Sequence, residues 1–382
     1  MSFKETPYGK IPEGWNFISA SDYCSRITDG THDSPKRKES GKFLITSKHI
    51  KGSKIDFDKA YFISQLDFDE INKRSQVNQW DVIISMIGEY CGFCYLEKEK
   101  NPDYAVKNVG LFKVDDRLKA QWLYYFINSR LGKFIIDSNK SGTSQPYITL
   151  GFLRGFPVLL PSNIEEMDSI VKILSSLDDK IELLHKQNET LEQTAETLFR
   201  QWFIEEAEEE WEILSFSEFA DVTTGKGLKR NDFKDDGLYK VLGANGEIGK
   251  TNNYLYSDKV ILTGRVGTLG KVVISNEKVW ITDNVLIIKP KKDFYFYPIY
   301  FYMKRMDYES FNVGSTQPLM TQSDLKNTEL ITPTIDSFKK FNITVTPFFS
   351  KIKHNLSEIQ TLTNLRDVLL PKLMSGEVRV KM

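Results

Sequence analysis

The chain has 382 residues, 51 Lys and Arg against 52 Asp and Glu, with 40% hydrophobic and 13% aromatic residues. That length holds two domains with separate cores; no apolar run reaches a membrane span, and MSFKETPYGK has no apolar signal core. Three cysteines cannot build a disulfide framework, so a cytoplasmic protein is expected. Near-zero net charge argues weakly against nucleic acid, yet Lys36, Arg37, Lys38, Lys42, Lys48, Lys51 and Lys54 face only Glu39 in their stretch. Such a patch can hold phosphates whatever the total charge.

Residues 1–160 read as a mixed α/β domain. Asp81 to Met86 and Gly110 to Val114 are strand-like, and Gln121 to Ile135 carries apolar groups at helical spacing. Pro157 and Pro161 bracket a short strand. Residues 161–204 change texture: Ile170, Leu174, Leu177, Ile181, Leu184, Asn188, Leu191, Ala195, Leu198 and Trp202 alternate steps of four and three, a coiled-coil seam. Ser176 with Asp179 reads as a capping box that starts the long helix. Asn188 is expected either to fix the register of this seam or to lie exposed on a drifting helix.

An acidic connector, Glu205 to Glu212, leads into a second mixed domain, 205–334. Residues 335–382 are a C-terminal spacer helix region, whose helix carries Ile352, Ile359, Leu362, Leu369 and Leu373 on one seam, interrupted by Asn355 and Arg366. Pro347 is expected in its first turn and Gly376 at its stop. Two such helices most simply pair antiparallel, which would send the domains to opposite ends about a pseudo-twofold axis.

The chain repeats itself. Ser141-Gly142-Thr143-Ser144-Gln145-Pro146 returns as Val313-Gly314-Ser315-Thr316-Gln317-Pro318, and Trp15 to Thr28 returns as Trp211 to Thr224. Val82 to Ser85 matches Val260 to Thr263, and Asn108-Val109 matches Asn284-Val285. Two copies imply two similar binding surfaces.

Enzyme signatures are missing. Gly243 to Thr251 resembles a phosphate loop, but Ala244 stands where the motif needs its first glycine, so a flexible glycine loop is expected. Cys91 and Cys94 have zinc-like spacing without a second pair, so buried structural cysteines are expected and no metal. No nucleophile elbow or dinucleotide loop is present.

Taken in order, several stretches resemble the specificity subunit of type I restriction–modification systems. They are Ile11-Pro12-Glu13-Gly14-Trp15, Asp29-Gly30-Thr31-His32-Asp33-Ser34-Pro35, Phe43 to Lys51, the two Gln-Pro loops, Leu177-Asp178-Asp179-Lys180-Ile181 and Leu370 to Gly376. The resemblance implies an α+β fold: two mixed α/β target recognition domains separated and held by two long antiparallel coiled-coil helices. It implies a chain without an active site that binds double-stranded DNA and two methyltransferase subunits, with an ATP-dependent nuclease and translocase joining. S-adenosylmethionine, ATP and Mg would sit in those partners, and this chain would hold no cofactor.

The expected DNA contacts are Thr31, His32, Lys36, Arg37, Lys38, Ser47, Lys48 and Gln145 in the first copy. In the second they are Lys226, Lys229, Asn245, Arg265 and Gln317. The copies differ most in these loops, so an asymmetric target is expected. A stand-alone bipartite DNA-binding regulator and a coiled-coil scaffold are the competing readings.

Overall fold

The computed structural model describes residues 2–207, 211–266, 269–311 and 319–380. It divides into two compact units, 1–183 with 358–382, and 184–357.

The first unit opens with a hairpin, β1 (Phe3–Thr6) and β2 (Gly9–Pro12), followed by β3 (Asn16–Ser19) and the turn-length α1 (Ala20–Tyr23). Then come β4 (Arg26–Asp29), β5 (Lys42–Thr46), β6 (Tyr61–Ile63) and α2 (Gln65–Ser75). The chain continues through β7 (Val82–Ser85), β8 (Cys94–Leu96), β9 (Tyr104–Lys107) and β10 (Val109–Lys113). Helices α3 (Arg117–Asn128), α4 (Arg130–Ser138) and α5 (Leu150–Gly155) lead to β11 (Pro157–Leu160). The long α6 (Ile164–Arg200) follows and ends in a π turn, Gln201–Glu205.

The second copy supplies β12 (Glu212–Ser215), β13 (Ala220–Thr224), β14 (Tyr239–Gly243), β15 (Gly246–Thr251), β16 (Val260–Gly264), β17 (Val272–Ser275), β18 (Val279–Ile281) and β19 (Val285–Pro290). After α7 (Phe296–Arg305), α8 (Gln322–Asn327) and β20 (Glu329–Thr332) comes the second long helix, α9 (Ile335–Met374).

The duplication is explicit in the sheets. Orders β4-β10-β7-β8 and β6-β5-β9 in the first unit repeat as β13-β19-β16-β17 and β15-β14-β18 in the second. Even the parallel pairs, β5 with β9 and β14 with β18, recur. Side chains alternate across a strand, so Val82 and Ile84 feed the core under the helices while Ile83 feeds a second core with Val109 and Leu111. In the second unit Ile261 faces the helix-side core, and Val260 and Leu262 face the other. The ladders set the equivalence: Val82 pairs with Phe112 on β10, and Ile261 with Ile288 on β19. Val82 therefore corresponds to Ile261, one residue from the match with Val260 read off the sequence. A one-residue slip would turn every side chain to the wrong face.

The long helices correct two boundaries. α6 starts at Ile164, not Ser176, whose hydroxyl donates to the Ile173 carbonyl within the helix at 2.8 Å. α9 starts at Ile335, with the Thr334 hydroxyl accepting from the Ser337 N–H at 3.2 Å, so Pro347 lies well inside it. A proline there forfeits one helical hydrogen bond, but Phe338, Phe341 and Val345 are buried on one stripe of the preceding turns. Their burial outweighs the proline. Gly376 does end the helix, at φ +69°.

Within each unit the α6 and α9 segments run antiparallel. In the first unit Asp178 pairs with Arg366 and Lys180 with Glu358. In the second, Phe199 stands against Phe341 and Phe203 against Phe338. The seam residues Leu177, Ile181, Asn188, Leu191, Leu198, Ile352, Ile359, Leu362 and Leu369 are half-buried, and Leu184 is buried.

Asn188 is not exposed on a drifting helix. The Asn355 Nδ2 donates to Asn188 Oδ1 and to Gln187 Oε1, each at 2.8 Å, and Asn355 is 0% exposed. Asn355→Leu is expected to destabilise the second unit by about 1–3 kcal/mol, because it strands the Asn188 amide. Chemical denaturation should show this, and adding Asn188→Leu should recover most of it.

Candidate nucleic-acid interface

The ends of equivalent strands carry the expected contact loops. β4 runs into Gly30, where an added Cβ would stand 2.5 Å from the Val106 carbonyl oxygen. β13 runs into Gly225, where it would stand 2.2 Å from that of Ile281. Only glycine lets the chain cross so closely at both places. The next residue is locked each time: the Thr31 N–H donates to Val106 O at 3.0 Å, and the Lys226 N–H to Ile281 O at 2.9 Å.

Around Thr31 the first unit gathers a polar cluster. The His32 ring stands 3.0 Å from Asp29 Oδ2 and 3.1 Å from Asn108 Oδ1. Arg74 of α2 donates to Asp29 Oδ1 at 3.2 Å and to the Gly30 carbonyl at 2.8 Å, and Lys107 donates to the Ser34 hydroxyl. Thr31 Oγ1 accepts from the Asp33 N–H at 3.1 Å. Thr31 and His32 are thus held by the fold on several sides. Lys36, Arg37, Lys38 and Lys48 are exposed, with the Arg37 guanidinium 4.7 Å above the Tyr61 ring. Lys51 lies over the Tyr90 ring at 3.2 Å.

Ser47 is a correction. It is 4% exposed, and its hydroxyl donates to the Asn108 carbonyl and accepts from the Met86 N–H at 3.2 Å. These bonds tie the turn after β5 to the β9–β10 link and to the end of β7, so the buried Ser47 holds the fold together rather than lying on the basic surface. Beside it His49 Nδ1 accepts from the Thr46 N–H at 3.0 Å. Burial, with the charge of Lys48, pushes the pKa of that ring below its ordinary value.

Gln145 is exposed on a loop closed by two Ser141–Tyr147 backbone bonds, 2.9 and 2.8 Å, and anchored where the Ile148 N–H meets Met86 O at 2.9 Å. Gln317, its twin, lies outside the described residues. The far end of that second loop is anchored alike, the Met320 N–H donating to Arg265 O at 3.0 Å. Arg265 is half-buried, and its Nε finds no partner among the described residues. Lys226 and Lys229 are exposed, and the Trp280 indole donates to the Lys226 carbonyl at 2.8 Å.

Asn245 is exposed at a hairpin tip, its carbonyl accepting from Lys271 Nζ at 2.8 Å. The expected flexible glycine loop is in fact the β14–β15 hairpin, with Gly243 paired to Gly246. Its glycines serve the turn, Gly246 at φ +118°.

The cysteines are buried and unpaired, and burial pushes the thiols of Cys24 and Cys94 up to about 12 and that of Cys91 upward. Among the described residues no group of three or more His, Cys, Asp or Glu is placed to hold a metal. Among them, too, no helix is long and apolar enough to cross a membrane.

Sequence reasoning missed Arg74, Lys107 and Asn108. Asn108 had a usable signal, its return as Asn284. Arg74 had none, because α2 has no counterpart helix among the described residues of the second copy.

This duplicated plan is matched by the family model for the type I restriction modification DNA specificity domain, over residues 12–193 and 208–363. The chain belongs to that family. As a type I specificity subunit it carries two tandem specificity domains, consistent with recognition of a two-part target. It is 25% identical to the type I restriction enzyme MjaIX specificity subunit of Methanocaldococcus jannaschii, over 99% of this chain and 97% of that one. To the MjaVIII specificity subunit of the same organism it is 21% identical, over 100% and 96%. Its fold is similar to that of the crystallised S subunit of a type I system from M. genitalium, with a TM-score of 0.60, 16% identity and coverage of 99% and 100%.

Proposed function

We propose that each domain reads one half of a split duplex DNA sequence. The paired helix segments hold two adenine methyltransferase subunits, and an ATP-dependent nuclease and translocase joins for restriction. In this reading the chain performs no catalysis and works in the cytoplasm. S-adenosylmethionine, ATP and Mg belong to its partners. The observation that carries it is one topology built twice with different loops on equivalent strand ends. The first copy presents exposed Lys36, Arg37, Lys38 and Lys48 and carries α2, whereas the second presents Lys226, Lys229, the Asn245 tip and Arg265. Different loops imply different half-sites, so the target is asymmetric. The helices support docking: Leu183, Leu365 and Val368 in the first unit, and Ile343 and Leu356 in the second, are exposed apolar groups.

Co-expression with a candidate adenine methyltransferase subunit of a type I system, in cells without other methylation, tests the reading by single-molecule sequencing of genomic DNA. Two unlike short blocks at a fixed gap are expected; a bound, folded partner with no new methylation would reject it. Lys36→Ala and Lys48→Ala should each lower the salt slope of DNA binding by about 0.9, with sequence preference unchanged. Arg265→Ala should relax one base position by about 1–3 kcal/mol. An unaltered methylated motif would remove Arg265 as a base reader.

A further inference from the structure

The two copies differ in how one small sheet is covered. In the first unit β11 pairs with β3, and Leu159 lies opposite Phe17. Both faces of β11 are buried there, Leu159 at 0% exposure. The cover comes from the β1–β2 hairpin and the end of α9: Tyr8 packs on the Phe17 ring at 5.1 Å, and Ile11, Leu373 and Met374 join the core that holds Leu159.

In the second unit β12 and β20 keep the same antiparallel ladder, with Ile213 directly opposite Ile331. Leu214 and Leu330 turn into the core, while Ile213 and Ile331 are 62% and 51% exposed. Among the described residues no hairpin precedes β12 to cover them. Ile335, at the start of α9 just beyond β20, is exposed as well.

The surroundings say what would cover this face. Glu329 lies on the same side of β20 as Ile331 by strand alternation, and it is exposed. Of the acids in the segment entering β12, Glu205 is exposed but meets Arg200 Nε at 3.0 Å, and Glu212 alternates to the opposite side of the strand from Ile213. The Glu329 carboxylate beside the two isoleucines disfavours phosphates, and so DNA, and attracts lysine and arginine.

We infer that the outer face of β12 and β20 docks an extended aliphatic segment carrying Lys or Arg from the methyltransferase subunit. The inference rests on the proposal that such a subunit binds this chain. The segment would do for the second unit what the β1–β2 hairpin does for the first. Two β-branched residues side by side on a ladder offer a flat apolar seat, and Glu329 beside them gives a partner for the incoming charge.

The full-length chain and the purified methyltransferase subunit that supports methylation with it in co-expression provide the test. Calorimetry with Ile213→Ser/Ile331→Ser should show affinity at least tenfold weaker, with an unchanged melting midpoint, because both side chains are exposed. Glu329→Lys, which leaves the isoleucines in place, should also weaken binding, and the difference should shrink in high salt. Amide exchange across β12 and β20 should slow in the wild-type complex. A double variant that binds as tightly as wild type, in a complex that still forms, would overturn the inference and leave the docking proposal standing. A wild-type chain that binds no methyltransferase would overturn both. Dimerisation of the chain alone, abolished by the double variant, would assign the face to a second copy and overturn the occupant named here.

Discussion

Phe199→Ala is expected to lower the stability of the second unit by about 3–5 kcal/mol. Phe199 is 0% exposed and lies at the centre of an aromatic cluster. Its ring is stacked on Phe203 at 5.0 Å and on Phe301 at 5.6 Å, with Tyr302 at 4.9 Å and Phe341 at 5.8 Å edge-on. These neighbours come from the π turn after α6, from α7 and from α9, so no single movement can fill the space left by the ring. Tyr302 is further restrained by its hydroxyl, which donates to the Ile331 carbonyl at 2.6 Å. The loss should therefore include a cavity contribution besides the lost transfer energy, and Phe199→Leu should be markedly milder. Denaturation followed by the fluorescence of Trp202 and Trp211 reads this unit. A loss under about 1 kcal/mol would mean that the cluster closes up and does not anchor α7 to the helices.

The parts legible in the sequence were those set by local periodicity. The α6 seam from Ile170 to Trp202 follows from apolar spacing alone, and the Gly30-Thr31 crossing lay inside a stretch already marked by its residues. What stayed hidden depended on tertiary partners. Ser176 has the chemistry of a helix cap, but Ile170, Val171 and Leu174 before it are buried in the first core, so the helix extends through it. Pro347 looks like a helix start until the buried Phe338 and Phe341 are counted. The match of Val82 to Val260 was one residue out, because β-branched runs look alike in either register and only the ladder distinguishes them. Ser47 looked like a surface hydroxyl beside Lys48; its burial came from β7, far along the chain. The basic loops were legible as charge, but the cluster that shapes them, Asp29 with Arg74 and Asn108, joins three segments that no sequence pattern connects.

Arg366→Ala is the second large effect, about 2–3 kcal/mol in the first unit. Arg366 interrupts the apolar seam of α9, and the structure shows why it is tolerated there. Its Nη1 meets Asp178 Oδ1 of α6 at 3.0 Å, while its Nη2 and Nε reach Asp367 at 2.8 and 3.0 Å. Asp178 in turn accepts from the Tyr125 hydroxyl of α3 at 2.9 Å, so one carboxylate joins the two long helices to the mixed domain. Burial works against the charge of Arg366, but Asp178 and Asp367 hold its pKa above the ordinary value. The side chains of Arg366 and Asp178 are 25% and 19% exposed. Removing one partner of a fully buried pair destabilises by about 3–5 kcal/mol, and partial exposure lowers that figure. Arg366→Ala leaves Asp178 charged with a single neutral donor. Arg366→Met with Asp178→Leu removes both charges, so it should recover most of the stability even though the ion pair is gone. Fluorescence of Trp15 and Trp122 reports on this unit. If the double variant were as unstable as Arg366→Ala, the loss would come from packing of the arginine stem rather than from the stranded carboxylate.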